Sequence, residues 1–473
     1  MSAVAEEIAS TEPRLRRELS AFAVLLLTLS CLSPIASIYA TGSDVLQHAG
    51  TGAALLFLVA LIAAAAWALV YAEIAAAFPY AGGDYVAVGS ILGPWAGFAS
   101  LTVWMVTAAP LTAVEAKFTA IYLAEVFPGL PLAPTTAAVV LASVLLALPR
   151  VRTSALITGV FLSIEMLGVV ALVATGLWHP ARDITAVLRE PLVADPAGNL
   201  VQVSLGGLAL GAVGAAYATT GGNQAIAFGE ELHDPHRKMG RVVLLAAAVG
   251  GLATALPIVC MVLGAHDLPA VLQSQAPFAV YFSASVGPLA SRVMSACVAL
   301  AIFNAIIAGN MFYARIAFSM GRDNILPRRA SAWLATIHAG SGVPRNATIA
   351  IGVATAACCP ISTHALVVFG AGLTTFVLCL VSSAVFAGRL KGLTGRHGHW
   401  RSPLFPLAPL MGMGLTIAFL AASLQDEDVG RPSVVILGSC IGLALLWYRF
   451  AIKPRGWRPR LDSSNDCVDA AKR

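Results

Sequence analysis

Apolar runs of about 20 residues recur along the whole chain, and each is long enough to cross a bilayer core as a helix. Twelve are read, at 20–40, 53–78, 88–120, 133–149, 153–177, 204–229, 242–263, 289–318, 346–360, 365–388, 404–424 and 433–452. The third and eighth are long for a single crossing. A membrane barrel would instead alternate apolar and polar residues over ten-residue strands. Composition agrees with the helical reading: 58% of the 473 residues are hydrophobic and 11% charged, where a soluble domain carries about 25% charged residues. The fold class expected is an all-α membrane protein with twelve transmembrane helices. The first run lacks an A-x-A site and is followed at once by a second long run, so it reads as a retained span.

The placement of basic residues gives an orientation. Arg14, Arg16 and Arg17 precede the first run; Arg150 and Arg152, then Arg237, Lys238 and Arg241, then Arg315, Arg322, Arg328, Arg329 and Arg345 punctuate alternate connections. Arg389, Lys391, Arg396 and Arg401 continue the series, as does the basic C-terminal segment from Arg449 to Arg473. The opposite connections hold Arg182, Arg189 and Arg431. This asymmetry follows the positive-inside rule and predicts both termini in the cytoplasm. The charges do not form one stripe, which argues against a nucleic-acid partner. The connection at 178–203, with Pro180, Pro191 and Pro196, reads as an irregular loop, and 321–345 is the other long connection. The eight cysteines form no C-x-x-C pair, so neither disulfides nor a metal site is expected.

Two runs are interrupted deep within their apolar length. In the first, Ser30-Cys31-Leu32-Ser33-Pro34-Ile35-Ala36-Ser37-Ile38-Tyr39, Pro34 removes a backbone donor while serines can satisfy the groups it frees. In the sixth, Gly214-Ala215-Ala216-Tyr217-Ala218-Thr219-Thr220-Gly221-Gly222-Asn223-Gln224, paired glycines and threonines weaken the helix. Either alone is compatible with a proline kink or a small-residue packing face. Their occurrence in runs one and six, the starts of two five-helix halves, points to a transporter site near the bilayer midplane. Free amides at such a break bind an anionic group and free carbonyls bind a cation. A zwitterion uses both.

Three ordered stretches resemble the amino acid–polyamine–organocation (APC) permeases. Tyr71 to Tyr85, with Glu73, Phe78-Pro79, Gly82-Gly83 and Asp84, ending in Leu92-Gly93-Pro94, is similar to that superfamily's second-helix signature. Glu230-Glu231-Leu232-His233-Asp234-Pro235-His236-Arg237 resembles its acidic turn after helix six. Arg315 with Met320-Gly321-Arg322-Asp323-Asn324-Ile325-Leu326-Pro327 is similar to its sequence after helix eight. The resemblance implies a five-plus-five, leucine-transporter-like inverted repeat at 20–388, two further helices at 389–452, and cytoplasmic tails at 1–19 and 453–473. It also implies transport by alternating access.

Site residues follow from the same resemblance. Family members carry a Gly-Ser/Ala-Gly run at the first break, and aligned through Tyr39 it reads Ile35-Ala36-Ser37 here. Amides of Ala36 and Ser37 would hold a substrate carboxylate. Carbonyls of Ser33, Tyr217 and Thr220 would hold the ammonium, with Tyr217 as the covering aromatic. Asn223 occupies a position that is acidic in some members with cationic substrates, and its neutrality weighs against a dibasic substrate. Gly82 and Gly83 read as a tight turn.

Acidic residues inside a membrane are costly and default to function. Glu73 is expected to pair with an arginine. Glu115 and Lys117, two apart, face different sides and need separate partners; closeness to the outer face lowers Glu115 as a candidate. Glu165 stands alone mid-way through the fifth run, where many proton-coupled members carry a lysine. Reversible protonation there would serve coupling, against a carboxylate locked to a first-helix donor or binding sodium. Asn304 and Asn310 read as hydrogen-bonding glue between helices.

The leading function is a proton-coupled amino acid symporter of the inner membrane, with a polyamine or organic-amine carrier, or an exchanger, as the alternative. An enzyme is not expected: the nine histidines sit mainly in loops and form no His-Glu metal motif. A channel has no need of two broken helices around an occluding aromatic. No Gly-x-x-x-x-Gly-Lys loop supports ATP-driven pumping, and no cofactor is called for.

Overall fold

The computed structural model describes residues 15–460 apart from 179, 196, 275 and 372. Arg14, Pro196, His179, Cys467, Lys472 and Arg473, with most of both expected tails, lie outside the described residues.

The first apolar run is a string of short pieces: α1 (Ala21–Leu32), α2 (Pro34–Ser37), a π-helical turn at Ile38–Gly42, and α3 (Ser43–Ala49). A straight helix, α4 (Ala53–Ala77), follows. The run expected to continue from 88 to 120 divides instead into α5 (Asp84–Leu92) and α6 (Pro94–Val126). Gly93 between them sits at φ 113°, a conformation open to glycine, and Pro94 starts the new helix where its missing N–H costs nothing. Next come α7 (Leu132–Ala147) and α8 (Val151–Trp178).

The connection expected to be irregular has structure of its own. It carries α9 (Ile184–Arg189) and two antiparallel strands, β1 (Leu192–Ala194) and β2 (Leu200–Gln202). Asp195 closes their turn by accepting from the backbone N–H groups of Ala197 and Asn199 at 2.9 and 2.8 Å. Prolines spoil long elements but permit three-residue strands joined by such an Asx turn.

Then follow α10 (Leu205–Thr219), a 3-10 segment at Gly222–Glu231, α11 (Pro235–Gly264), α12 (Leu268–Gln273), α13 (Pro277–Val286) and α14 (Pro288–Arg322). The remainder is α15 (Arg328–Leu334), α16 (Arg345–Cys358), α17 (Thr363–Ala371), α18 (Leu373–Leu390), α19 (Leu407–Ser423) and α20 (Gly430–Trp447). Among the described residues, six stretches are long and apolar enough to cross a membrane: Ala21–Ala77, Pro94–Val126, Val151–Trp178, Pro235–Gly264, Pro288–Arg322 and Gly430–Arg455. Shorter apolar helices occupy Leu132–Ala147, Pro277–Val286, Thr375–Leu390 and Leu407–Ser423.

Apolar faces make one bundle, with α4 along α11 and α6 along α14. The axial helix is α14, buried from Met294 to Arg322 at nearly every inward position. Two large hydrophobic clusters fill the bundle. One, at the end we call the Arg315 end, includes Val24, Leu27, Ala225, Ile226 and Phe228. The other, at the Tyr39 end, includes Ile35, Ile38, Ala215 and Ala218. The first helix passes from one cluster to the other at Ser33, and α10 with its 3-10 continuation passes the opposite way at Thr220–Gly221. Both interruptions therefore fall at the boundary between the two packed halves.

Candidate functional site

The first break is built by Ser33 and Pro34. A residue before proline is pushed out of the α region, and Ser33 adopts φ 42°, ψ 84°. Its N–H still closes α1 on Leu29 O at 2.9 Å. Its hydroxyl donates to Glu165 Oε1 at 2.9 Å and approaches Ala301 O at 3.3 Å. The N–H of Ile35, one of the donors left over at the start of α2, also donates to Glu165 Oε1 at 2.9 Å. Glu165 thus reaches from α8 to tie both sides of the break, while its buried Oε2 has no partner among the described residues. Ser37 returns its hydroxyl to Leu32 O at 3.1 Å, using a carbonyl left over where α1 ends. Asn304 Nδ2 donates to Ser30 Oγ at 3.0 Å and Asn310 Nδ2 to Ser143 Oγ at 3.1 Å, both between helices as expected.

At the second break, α10 ends on threonines that fold back: Thr219 Oγ1 donates to Ala215 O at 3.0 Å, and Thr220 Oγ1 to Ala216 O at 2.7 Å. Gly221 then allows the two breaks to touch. A Cβ added there would lie 2.3 Å from Leu32 Cδ1, the last residue of α1. Any larger residue at 221 would force the two interrupted helices apart.

The sequence-expected residues divide between two sides of this crossing. Ser33 is buried against Glu165. The Ser37 N–H is spent on Ser33 O at 3.0 Å, which also occupies that carbonyl, while the Ala36 N–H lies in the first turn of α2, where such donors are left over. Thr220 and Asn223 line a cleft of about 10 Å³, room for one water, against Trp67 and Tyr71 of α4. Tyr217 does not share it. It is 49% exposed and is not among the residues that line the cleft.

The wall across the bundle is built on α6 and α14. Trp104, Glu115 and Tyr122 are spaced 11 and 7 apart on α6, which puts them on one helical face. Trp104 packs edge-on against Phe312 of α14 at 5.2 Å and lies 6.4 Å from Tyr313. Tyr122 meets Tyr39 edge-on at 6.0 Å, and Tyr39 packs on Phe278 at 5.4 Å, forming an aromatic cover beyond the first break. Glu115 lies on the same face between these layers, toward the bundle interior. The signal was available as the 104–115–122 spacing.

Charged groups close the Arg315 end. Glu231 binds Arg315 in a bidentate pair, at 2.5 Å to Nε and 2.9 Å to Nη2, with both side chains almost fully buried. Arg315 also lies over the Phe228 ring at 4.4 Å. Beside it Glu230 takes Arg322 at 2.9 and 3.1 Å and accepts the Ala81 N–H at 2.9 Å. The acidic turn after run six and the basic residues after run eight, read separately in the sequence, are thus partners. Glu73 pairs with Arg389 at 2.6 and 2.7 Å and also accepts from Thr394 and the Ser402 N–H, a structural tie between α4 and the connection after α18. Gly83, at φ 61°, makes the expected tight turn by donating to Tyr80 O at 2.8 Å.

The same connection carries a pH-sensitive contact. His399 stacks on His236 at 4.4 Å, and His236 Nδ1 bonds Ala76 O at 2.8 Å. Burial, then His236 and Arg396, hold the His399 pKa below its ordinary value of 6.5. The folded state therefore prefers neutral His399. Its contribution is present above pH 6.5 and is lost as pH falls through the lowered folded value. In detergent, the melting temperature of the protein is expected to fall between pH 7 and pH 5, and His399→Phe should shrink that drop. An unchanged pH dependence in the variant would show that the stack does not carry it.

Two interrupted helices in contact at their breaks, an acid bridging one of them and ion pairs at one end are set in a multi-pass helical membrane protein. The chain belongs to the amino acid permease family, whose profile matches residues 19–446. It is similar to the human Asc-type amino acid transporter 1, 28% identical over 336 residues, covering 67% of this chain and 61% of the relative. An uncharacterized transporter of Mycobacterium tuberculosis is 28% identical over 327 residues, covering 68% of this chain and 69% of its own. The large neutral amino acids transporter small subunit 2 of Oryctolagus cuniculus is 24% identical over 311 residues, covering 64% and 56%. The chain spans about six-tenths of the length of the Asc-type relatives it matches.

Proposed function

We propose that this protein carries amino acids across the inner membrane by alternating access, as a proton-coupled symporter. The observation that carries this reading is the contact of the two interrupted helices at Leu32 and Gly221, with Glu165 fastened to Ser33 and Ile35. Broken helices that meet between two packed halves allow one half to rock against the other while the site stays fixed. The substrate carboxylate is assigned to the Ala36 amide, with Ser37 beside it. The ammonium is assigned to the carbonyls of Tyr217 and Thr220, near Ser33, with Tyr217 as cover and Asn223 at the margin.

The same reading takes twelve spans, a five-plus-five inverted repeat over 20–388 and two added helices at 389–452. It places both termini in the cytoplasm, so the Arg315–Glu231 and Arg322–Glu230 pairs hold the cytoplasmic side shut. The opposite passage of the first and sixth runs between the two hydrophobic clusters supports an inverted relation. Lipid and a proton are the partners this mechanism requires.

Uptake into proteoliposomes, measured against a panel of labelled amino acids with and without an inward-acid pH gradient, tests the proposal. Accumulation of at least one zwitterionic amino acid, raised severalfold by the gradient, is the expected result. Failure to take up or exchange any member of the panel, by protein that remains monodisperse, would overturn it.

A further inference from the structure

Glu115 is an interior carboxylate that the mechanism above does not use; Asp84 of α5 is another, but Tyr71 and Trp104 donate to it at 3.2 and 3.1 Å. Glu115 rests on α6, on the face that carries Trp104 and Tyr122 toward the axial helix and the first break. Its neighbour Lys117 is no partner: that ammonium is held by Ile361 O, on another side of α6. No hydrogen bond or ion pair to the Glu115 carboxylate is found among the described residues. Trp104 on the same face packs on Phe312 and Tyr313 of α14, and Tyr122 packs on Tyr39 just past the first break, so the carboxylate lies between α14 and that break. Beside Tyr313, one turn earlier on α14, Gly309 faces open space, with no atom within 4 Å of an added Cβ.

We propose that Glu115 seats a positively charged group on the substrate side chain, so that this permease takes amino acids bearing a second, basic nitrogen. The inference rests on the preceding assignment of the α-carboxylate and α-ammonium to the breaks. With those ends held there, the substrate side chain extends toward Tyr217 and the α6 wall. The Glu115 carboxylate has no protein partner among the described residues, which leaves its charge unmatched, and an incoming ammonium or guanidinium removes that mismatch. An apolar side chain of equal length leaves it in place, which is how a buried polar group discriminates between analogues. Neutral Asn223, which in the sequence weighed against a basic substrate, lines the cleft beside Trp67 and Tyr71 and does not face this wall.

The test is equilibrium binding of lysine and of norleucine, which lacks only the terminal amine, to purified full-length protein. Wild type is expected to bind lysine at least about tenfold more tightly than norleucine, a modest value for such discrimination. Glu115→Gln should abolish that preference by weakening lysine alone, and Glu115→Asp should restore part of it. Glu115→Gln should also melt no lower than wild type, since it removes an unpaired charge. Wild type that binds norleucine but not lysine would sink the Glu115 assignment while leaving the transport reading intact. Equal weakening of both ligands in Glu115→Gln would make the residue structural and overturn the proposal. Wild type that binds neither of these nor any other amino acid would remove the parent reading and this inference together.

Discussion

Glu165→Gln is expected to abolish accumulation driven by a pH gradient while leaving substrate binding and counterflow exchange near wild-type rates. The amide oxygen can still accept from Ser33 Oγ and the Ile35 N–H, the two donors that Glu165 Oε1 now holds. The first break is therefore kept, and what the variant loses is the ability to release a proton. A permanent charge at mid-span is unfavourable, and the buried Oε2 has no partner among the described residues to offset it. Proton binding at Glu165 shifts the facing of the transporter only if the two conformations differ in proton affinity. The tie to both sides of the break supplies a reason for such a difference, since moving the inner part of the first helix changes those bonds. With a gradient of one pH unit, one-for-one coupling yields about tenfold accumulation, equivalent to about 1.4 kcal/mol. The variant should stop at equality inside and out. Undiminished gradient-driven accumulation at wild-type expression would remove Glu165 from coupling. Loss of binding itself would make it a structural clamp.

Arg315→Met is expected to cost about 3–5 kcal/mol, because it leaves the buried Glu231 carboxylate without its bidentate partner. Fluorescence-detected melting in detergent should show a large fall in stability and expression. The double variant Arg315→Met with Glu231→Gln should recover most of it, since removing both charges removes the uncompensated one. Recovery would also separate folding from gating. If the pair closes the cytoplasmic side, the double variant should fold yet label more readily at a cysteine placed beneath it. A single variant as stable as wild type would mean that water reaches Glu231 and the pair contributes little.

Much of this protein follows from the chain's own order. The apolar runs specify membrane helices because the bilayer leaves a backbone few other ways to satisfy its hydrogen bonds. The two breaks were legible for local reasons: Ser33-Pro34 cannot continue a helix, and Thr219-Thr220-Gly221-Gly222 holds one weakly. The division at Gly93-Pro94 carried the same kind of signal, but a long apolar run masked it. The small hairpin at 192–202 depends on an Asx turn that hydropathy does not register.

Tertiary structure decided what the polar residues do. Ser33 was expected to offer a carbonyl, yet its hydroxyl is engaged by Glu165 from 132 residues away. Thr220 and Asn223 line the cleft against α4, while Tyr217, a few residues off, does not; a helix that breaks no longer keeps its residues on one predictable face. Glu115 and Lys117 had to part, because neighbours two apart on a helix diverge, but only the fold shows that one ends on a carbonyl and the other in the interior. Glu230 and Glu231 read alike as acidic residues in a turn, and packing alone gave Arg322 to the first and Arg315 to the second. Local sequence sets where a helix can start, stop or fail, since those costs are paid within a few residues. Which charge meets which partner depends on helices far apart in the chain, and the low dielectric of the bundle makes each of those choices weigh heavily.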